Sequence, residues 1–236
     1  FVVSLSGGVD SSAASCLVAL MVERAVKEVG LSGVTEKLSY ASWSKGIRSQ
    51  AQIMKKILAC IYQGTKNSSK TTRDAAKAVA GEIGAEFFVV DISDIVSGYQ
   101  AMVSKATGIK LSWKDHDLAL QNIQARVRSP SVWLLANLRK SLLLSTSNRS
   151  EAAVGYTTMD GDSSGGLSPL GGIDKAYLRI WLSWLEKEGV QGLSRYRSLK
   201  AVNVQAPTAE LRPRSEKQTD EKDLMPYEVL DTIERY

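Results

Sequence analysis

The chain has 236 residues, 44% of them apolar, enough for one large domain folded around its own core. Thirty basic against 25 acidic residues leave a net charge of +5, and no Lys/Arg block is interleaved with aromatics. That balance makes nucleic acid an unexpected partner and suits a protein that handles anionic nucleotides, while no apolar stretch has membrane-spanning or signal-peptide character.

In chain order, the first element is an apolar strand over residues 1–5, followed at once by Ser6-Gly7-Gly8-Val9-Asp10-Ser11-Ser12 and a helix over residues 12–29. Strand, glycine turn and helix gather backbone N–H groups and a positive helix end around one concavity, a setting that binds phosphate. Gly7 and Gly8 allow close backbone approach and positive φ, and the hydroxyls of Ser6, Ser11 and Ser12 add donors. A carboxylate beside a phosphate is repelled unless a divalent cation lies between them, so Asp10 reads as a Mg²⁺ ligand. The loop is neither a P-loop, which would end Gly-Lys-Ser/Thr, nor a Gly-x-Gly-x-x-Gly dinucleotide turn. It resembles the SGGxDS pyrophosphate loop of N-type ATP pyrophosphatases, which cleave ATP between the α and β phosphates and use AMP to activate an acid or carbonyl oxygen.

Residues 31–53 are polar, with Gly33, Trp43 and Gly46, and are expected to be an irregular insertion. Strands are predicted over 56–62 (KILACIY), 86–92 (EFFVVDI) and 141–146 (SLLLST), with helices over 69–83, 92–105, 118–137 and 175–186 and a short last helix over 224–236. All four strands read as buried, and their alternation with helices predicts an α/β fold with a doubly wound parallel sheet and ligands at the strands' carboxyl ends. Cys16 on the first helix and Cys60 in the second strand lack CxxC spacing and read as core thiols of a reducing, cytoplasmic protein. Residues 212–222 (RPRSEKQTDEK) contain no apolar side chain and are expected to form a mobile loop.

Polar clusters follow the remaining strands. Gln63-Gly64-Thr65-Lys66-Asn67-Ser68-Ser69 is placed to cover an adenine or ribose, or simply to cap the next helix. Thr146 ends the fourth strand, and Glu151 is the natural second carboxylate for the metal that Asp10 begins to hold. In the helix between, Arg126 and Arg128 are costly to bury without anions; Arg126, one turn after Asn122, is expected to meet substrate and Arg128 to snorkel. His116, flanked by Asp115 and Asp117, reads as solvated, and Trp181 and Trp184 as a core stripe with a subunit interface as the alternative.

SLSGGVDSS, YQGTKNSS, LQNIQARVRSP, STSNRSEAAVGYTTMDGDSSGGLSPLGGIDK, PTAELRP and QTDEKDLMPYEVLD follow one another in an order and at spacings that closely resemble the synthetase domain of NAD⁺ synthetases. The middle blocks are more similar to the glutamine-dependent two-domain enzymes than to the short ammonia-dependent ones. The resemblance implies a Rossmann-like, three-layer α/β/α fold of the adenine nucleotide α-hydrolase type. It implies one domain over 1–236, with an upstream amidase domain and some C-terminal substrate contacts expected outside this sequence, in keeping with its start inside a strand. The implied reaction is ATP-dependent amidation of deamido-NAD⁺ to NAD⁺ through an acyl adenylate, with AMP and pyrophosphate released and ammonia supplied directly or from glutamine.

The resemblance further implies that Ser4, Ser6, Gly7, Gly8, Asp10 and Ser11 hold ATP phosphates, that Thr146 and Thr208 contact ATP, and that Lys175 neutralises phosphate charge. Asp10 and Glu151 would hold Mg²⁺. Asn122, Arg126 and Glu151 would meet deamido-NAD⁺, with Tyr156, Thr157, Thr158 and Met159 lining its nicotinate end. Members of the family pair as dimers through helices, so a homodimer or higher oligomer is expected. The opening loop by itself leaves open a GMP synthetase-like amidation or tRNA thiolation, for which paired reactive cysteines are lacking, and a non-catalytic adenylate-binding module.

Overall fold

In the computed structural model, residues 1–213 and 219–235 are described. Four parallel strands, β1 (Val2–Ser4), β2 (Ala59–Gly64), β3 (Glu86–Asp91) and β4 (Leu143–Leu144), form one sheet in the order β3-β2-β1-β4. The helices are α1 (Val9–Lys37), α2 (Gln50–Ile57), α3 (Lys70–Ile83), α4 (Ser93–Thr107), α5 (Trp113–Arg126), α6 (Arg128–Leu138), α7 (Arg149–Ala153), α8 (Lys175–Lys187), α9 (Lys200–Asn203), α10 (Asp220–Asp223) and α11 (Tyr227–Ile233).

Strand alternation distributes the core to both faces of the sheet. Val3, Cys60, Tyr62 and Leu144 point to one side, against α1, α3 and α8, where Ala14, Val79, Leu178 and Leu182 are fully or almost fully buried. Val2, Ala59, Ile61 and Leu143 point to the other, against Val132 and Ala136 of α6. Helices on both faces of a parallel sheet make the three-layer α/β/α architecture that the βαβ pattern implied.

The differences from the predicted elements have local causes. Lys56 and Ile57 belong to α2, so β2 begins at Ala59, and the predicted irregular insertion is largely helical. The chain continues α1 beyond Val29 through a kink at Gly30, whose φ of 71° other residues rarely adopt, before α2 forms behind its Ser49 cap. The predicted helix over 118–137 starts earlier and divides into α5 and α6; Pro130, in the first turn of α6, has no N–H to offer the carbonyl of Arg126. β3 is an edge strand, not a buried one, and Val89 on it is 55% exposed. Of the predicted loop 212–222, residues 214–218 lie outside the described residues, while Asp220–Asp223 form α10 with Asp220 buried. The last helix covers Tyr227–Ile233, and Tyr236 lies outside the described residues.

The chain leaves β1 toward β2 and β3 on one side, then returns to place β4 on the other side of β1. That reversal opens a crevice at the carboxyl ends of β1 and β4, where doubly wound sheets bind ligands.

Candidate active site

A cleft of about 310 Å³ occupies this crevice. Gly7 starts it: its φ is +85°, and a Cβ there would lie 2.1 Å from the carbonyl oxygen of Thr72 on α3. Only glycine lets the loop pass so close to α3. Gly8, with φ of −90°, needs no such freedom; it is the N-cap of α1 and offers no side-chain cap. The first-turn N–H groups of α1 are therefore left for a ligand, at the positive end of a long helix. Ser6 N–H donates to Ser11 Oγ at 3.1 Å and Gly8 N–H to Ser6 Oγ at 3.3 Å, so the serines shape the loop they belong to. Ser4 donates to Gln63 Oε1 at 3.0 Å, joining the ends of β1 and β2. Ser12 is buried away from the cleft lining.

Asp10, Glu151 and Lys175 arrive from three elements and meet. Lys175 Nζ donates to Asp10 Oδ2 and, at 2.7 Å, to Glu151 Oε1. Asn148, fully buried, donates to Asp10 Oδ1 at 3.0 Å, and its own Oδ1 accepts the Glu151 N–H at 3.0 Å as the cap of α7. One asparagine thus ties the Asp10 carboxylate to the first turn of α7, the helix that carries Glu151. Asp220 and Tyr227 close the group: the Tyr227 hydroxyl lies 3.4 Å from Glu151 Oε1 and 3.3 Å from Asp220 Oδ2, and the Lys175 ammonium lies 5.5 Å from its ring centroid.

Charge governs this cluster. Burial pushes the Glu151 carboxyl up to about 7, with the nearby Asp10 charge adding to the rise and Lys175 opposing it. Burial also raises Asp220. Burial works against the Lys175 ammonium, but Asp10 and Glu151 outweigh it and hold it protonated well above the ordinary lysine value. Three carboxylates share one ammonium here, and Asp220 Oδ1 is buried with no hydrogen-bond partner among the described residues. A hard divalent cation fits that surplus of negative oxygen donors.

Ser4, Ser6, Gly8, Asp10, Ser11, Asn122, Thr146, Glu151, Tyr156, Thr157, Thr158, Lys175 and Thr208 all line the cleft. Asp162 organises the far wall, accepting from Thr157 Oγ1 at 2.8 Å and from Thr158 N–H at 2.9 Å, while Tyr156 donates to Asp223 at 2.9 Å. Arg126 and Met159 fall outside the lining: Arg126 is exposed and donates to the Met159 carbonyl at 3.0 Å, and the Met159 side chain is exposed. Arg128 lines the cleft instead, its guanidinium fixed by a 2.9 Å bond to the Gln124 carbonyl. The helix break before Pro130 turns the second arginine inward, reversing the order expected from the sequence.

The segment Thr208–Leu211 forms part of the cleft lining. Glu210, at φ 49°, accepts from Ser69 N–H at 3.2 Å and Thr72 Oγ1 at 2.9 Å; the Leu211 carbonyl accepts from Asn67 at 3.0 Å and Gln124 at 2.6 Å. The polar loop after β2 therefore holds this segment, and Ser69 also caps α3. His116 has a local task, accepting the Ser112 N–H at 3.2 Å. Trp181 packs on the core and Trp184 is 40% exposed. Cys16 and Cys60 are free and buried, and burial pushes the Cys60 thiol up to about 12.

Comparison with known proteins agrees with this architecture. A sequence model of the NAD synthase family matches residues 1–236. The glutamine-dependent NAD(+) synthetase of Aquifex aeolicus is 35% identical over 238 residues, covering 98% of this chain and 33% of the relative. That of Oryza sativa subsp. indica is 34% identical over 252 residues, covering 98% of this chain and 34% of the relative. The crystal structure of a glutamine-dependent NAD(+) synthetase from Cytophaga hutchinsonii superposes with a TM-score of 0.83 at 37% identity, over 100% of this chain and 38% of that one. The chain spans about a third of the length of these relatives, and over that span it belongs to the NAD synthase family.

Proposed function

We propose that this domain is a carbon–nitrogen ligase that amidates deamido-NAD⁺ to NAD⁺, using ATP and releasing AMP and pyrophosphate. The observation that carries the reading is the meeting of Asp10, Glu151 and Lys175 directly beside an uncapped helix N-terminus at the sheet's switch point. The backbone of Gly7 and Gly8 and the hydroxyls of Ser4, Ser6 and Ser11 receive the β and γ phosphates, and Lys175 offsets charge as they leave. Thr146 and Thr208, both on the cleft lining, contact ATP in this reading. Asn122, Tyr156, Thr157 and Thr158 accommodate deamido-NAD⁺, with Arg128 as the cleft arginine that meets substrate anions.

Asp10 and Glu151 are the residues that would hold Mg²⁺, with Asp220, also on the cleft lining, adding charge. When bound, Mg²⁺ supplies charge neutralisation on the triphosphate. In the proposed sequence the nicotinate carboxylate attacks the α-phosphorus, pyrophosphate departs, and ammonia displaces AMP from the acyl adenylate. The domain contributes position and charge and no nucleophile of its own.

Glutamine, through an amidase domain, is the nitrogen source in keeping with the relatives' names, and free ammonia serves this domain in isolation. No helix among the described residues is long and apolar enough to cross a membrane, and the two free buried thiols support a cytoplasmic setting. Pairing into a dimer or higher oligomer is part of the same proposal. The test supplies MgATP, deamido-NAD⁺ and ammonia and measures AMP, pyrophosphate and NAD⁺ in equal amounts. Turnover with xanthylate or aspartate in place of deamido-NAD⁺ would move the assignment to another ATP pyrophosphatase. Saturable ATP binding without AMP would make the domain a binding module.

A further inference from the structure

The helix that carries Lys175 has an unusual start. Asp174, at its N-cap position, makes no side-chain cap bond. Its first two N–H groups are satisfied by other elements: Lys175 N–H donates to Ser150 Oγ of α7 at 2.9 Å, and Ala176 N–H donates to Asp231 Oδ2 of α11 at 2.9 Å. Ser150 Oγ in turn donates to Asp231 Oδ1 at 2.5 Å. A single buried carboxylate from α11 thus holds together the N-termini of α7, which carries Glu151, and α8, which carries Lys175. Asp231 also puts negative charge at the positive end of α8.

Tyr227 lies one helical turn before Asp231 and therefore on the same face of α11. It is fully buried, its ring faces the Lys175 ammonium, and its hydroxyl stands between Glu151 and Asp220. α7 is only five residues long and cannot set its own orientation rigidly. The two carboxylates and the ammonium would separate readily if α7 and α8 moved independently.

We propose that Tyr227 and Asp231 form a clamp on α11 that positions Glu151 and Lys175 at the distances the proposed metal–triphosphate site requires. They are positioning residues: Asp231 fixes the two helix ends, and the Tyr227 hydroxyl fixes the Glu151 carboxylate relative to Asp220. The inference rests on the proposed amidation for its catalytic consequence but not for its effect on cation binding.

The test compares Tyr227→Phe and Asp231→Asn with Thr232→Ala, an exposed neighbour on the same helix, in the full chain. Each is assayed for AMP formation and, separately, for Mn²⁺ binding in the presence of ATP by electron paramagnetic resonance. Outer-shell partners of a metal site typically contribute 10- to 100-fold, so Tyr227→Phe is expected to lower both kcat and Mn²⁺ affinity by about tenfold or more. Its KM for deamido-NAD⁺ and its melting temperature should stay near the parent values, and Thr232→Ala should match the parent throughout. Asp231→Asn keeps the shape and loses the charge, and should fall in the same direction; if it fails to fold, Tyr227→Phe decides. Parent-like kcat and Mn²⁺ affinity in Tyr227→Phe, an equal loss in Thr232→Ala, or no Mn²⁺ binding by the parent with ATP overturns the clamp. A parent that binds Mn²⁺ with ATP yet forms no AMP sinks the amidation reading alone, and the Mn²⁺ titrations still decide the clamp.

Discussion

The sequence singled out Asp10 because a carboxylate is unexpected in a strand–glycine–helix loop of the type that suits an anion, and the structure brings it to Lys175, whose ammonium balances its charge. Asp10→Asn should leave the fold intact and abolish Mg²⁺-dependent AMP formation; thermal melting together with an AMP assay checks both halves. Glu151 carries a pH dependence. With its carboxyl raised to about 7 by burial and by Asp10, it is largely protonated below neutrality and ionised above, so kcat/KM for ATP should rise with pH through about 7 at low Mg²⁺. A cation binds the ionised form, so raising Mg²⁺ should shift that midpoint to lower pH. An invariant midpoint would show that Glu151 does not face the metal. Gly7→Ala meets both a positive φ and the Thr72 carbonyl, and should cost on the order of 1–3 kcal/mol of stability in chemical denaturation while weakening ATP binding. Arg126 and Arg128 were not separable by spacing, because which one faces the cleft depends on a helix break whose angle the sequence does not reveal.

At the scale of elements, the parallel strands and principal helices were legible from apolar runs and their punctuation, but their ends were not. β2 lost its first residues to α2 because Lys56 and Ile57 complete an amphipathic helix capped by Ser49. β3 reads like any buried strand, yet it stands at the sheet edge, since an apolar run records one packed face and not the number of hydrogen-bonded neighbours. The segment Thr208–Leu211 on the cleft lining has no periodicity and was invisible as structure; it is held by Glu210 at the N-terminus of α3. Glu210→Gln removes that charge and should cost about 0.3–1 kcal/mol, with a rise in KM for ATP and faster cleavage within residues 208–212 by a nonspecific protease as the measurements. Unchanged proteolysis would mean that the Leu211 bonds to Asn67 and Gln124 suffice.

For the molecule as a whole, a ligand that bridges the loops after β1 and β4 must stabilise the fold by linkage. ATP at about a hundred times its Kd should add about 2.7 kcal/mol in the presence of Mg²⁺ and clearly less with a chelator, read by thermal melting; equal shifts in both would count against Asp10 and Glu151 as the cation's ligands. By itself the sequence determined the layer architecture, the glycine loop after β1 and the two carboxylates that the structure brings to one lysine, because strand–turn–helix order and local charge are properties of neighbouring residues. Only the tertiary structure decided what surrounds them: Asn148 tying Asp10 to α7, Arg128 rather than Arg126 in the cleft, Asp231 joining two helix ends and Tyr227 beside Glu151. Those contacts join residues up to 138 positions apart, and side chains so distant acquire partners only when sheet order and helix packing bring them together.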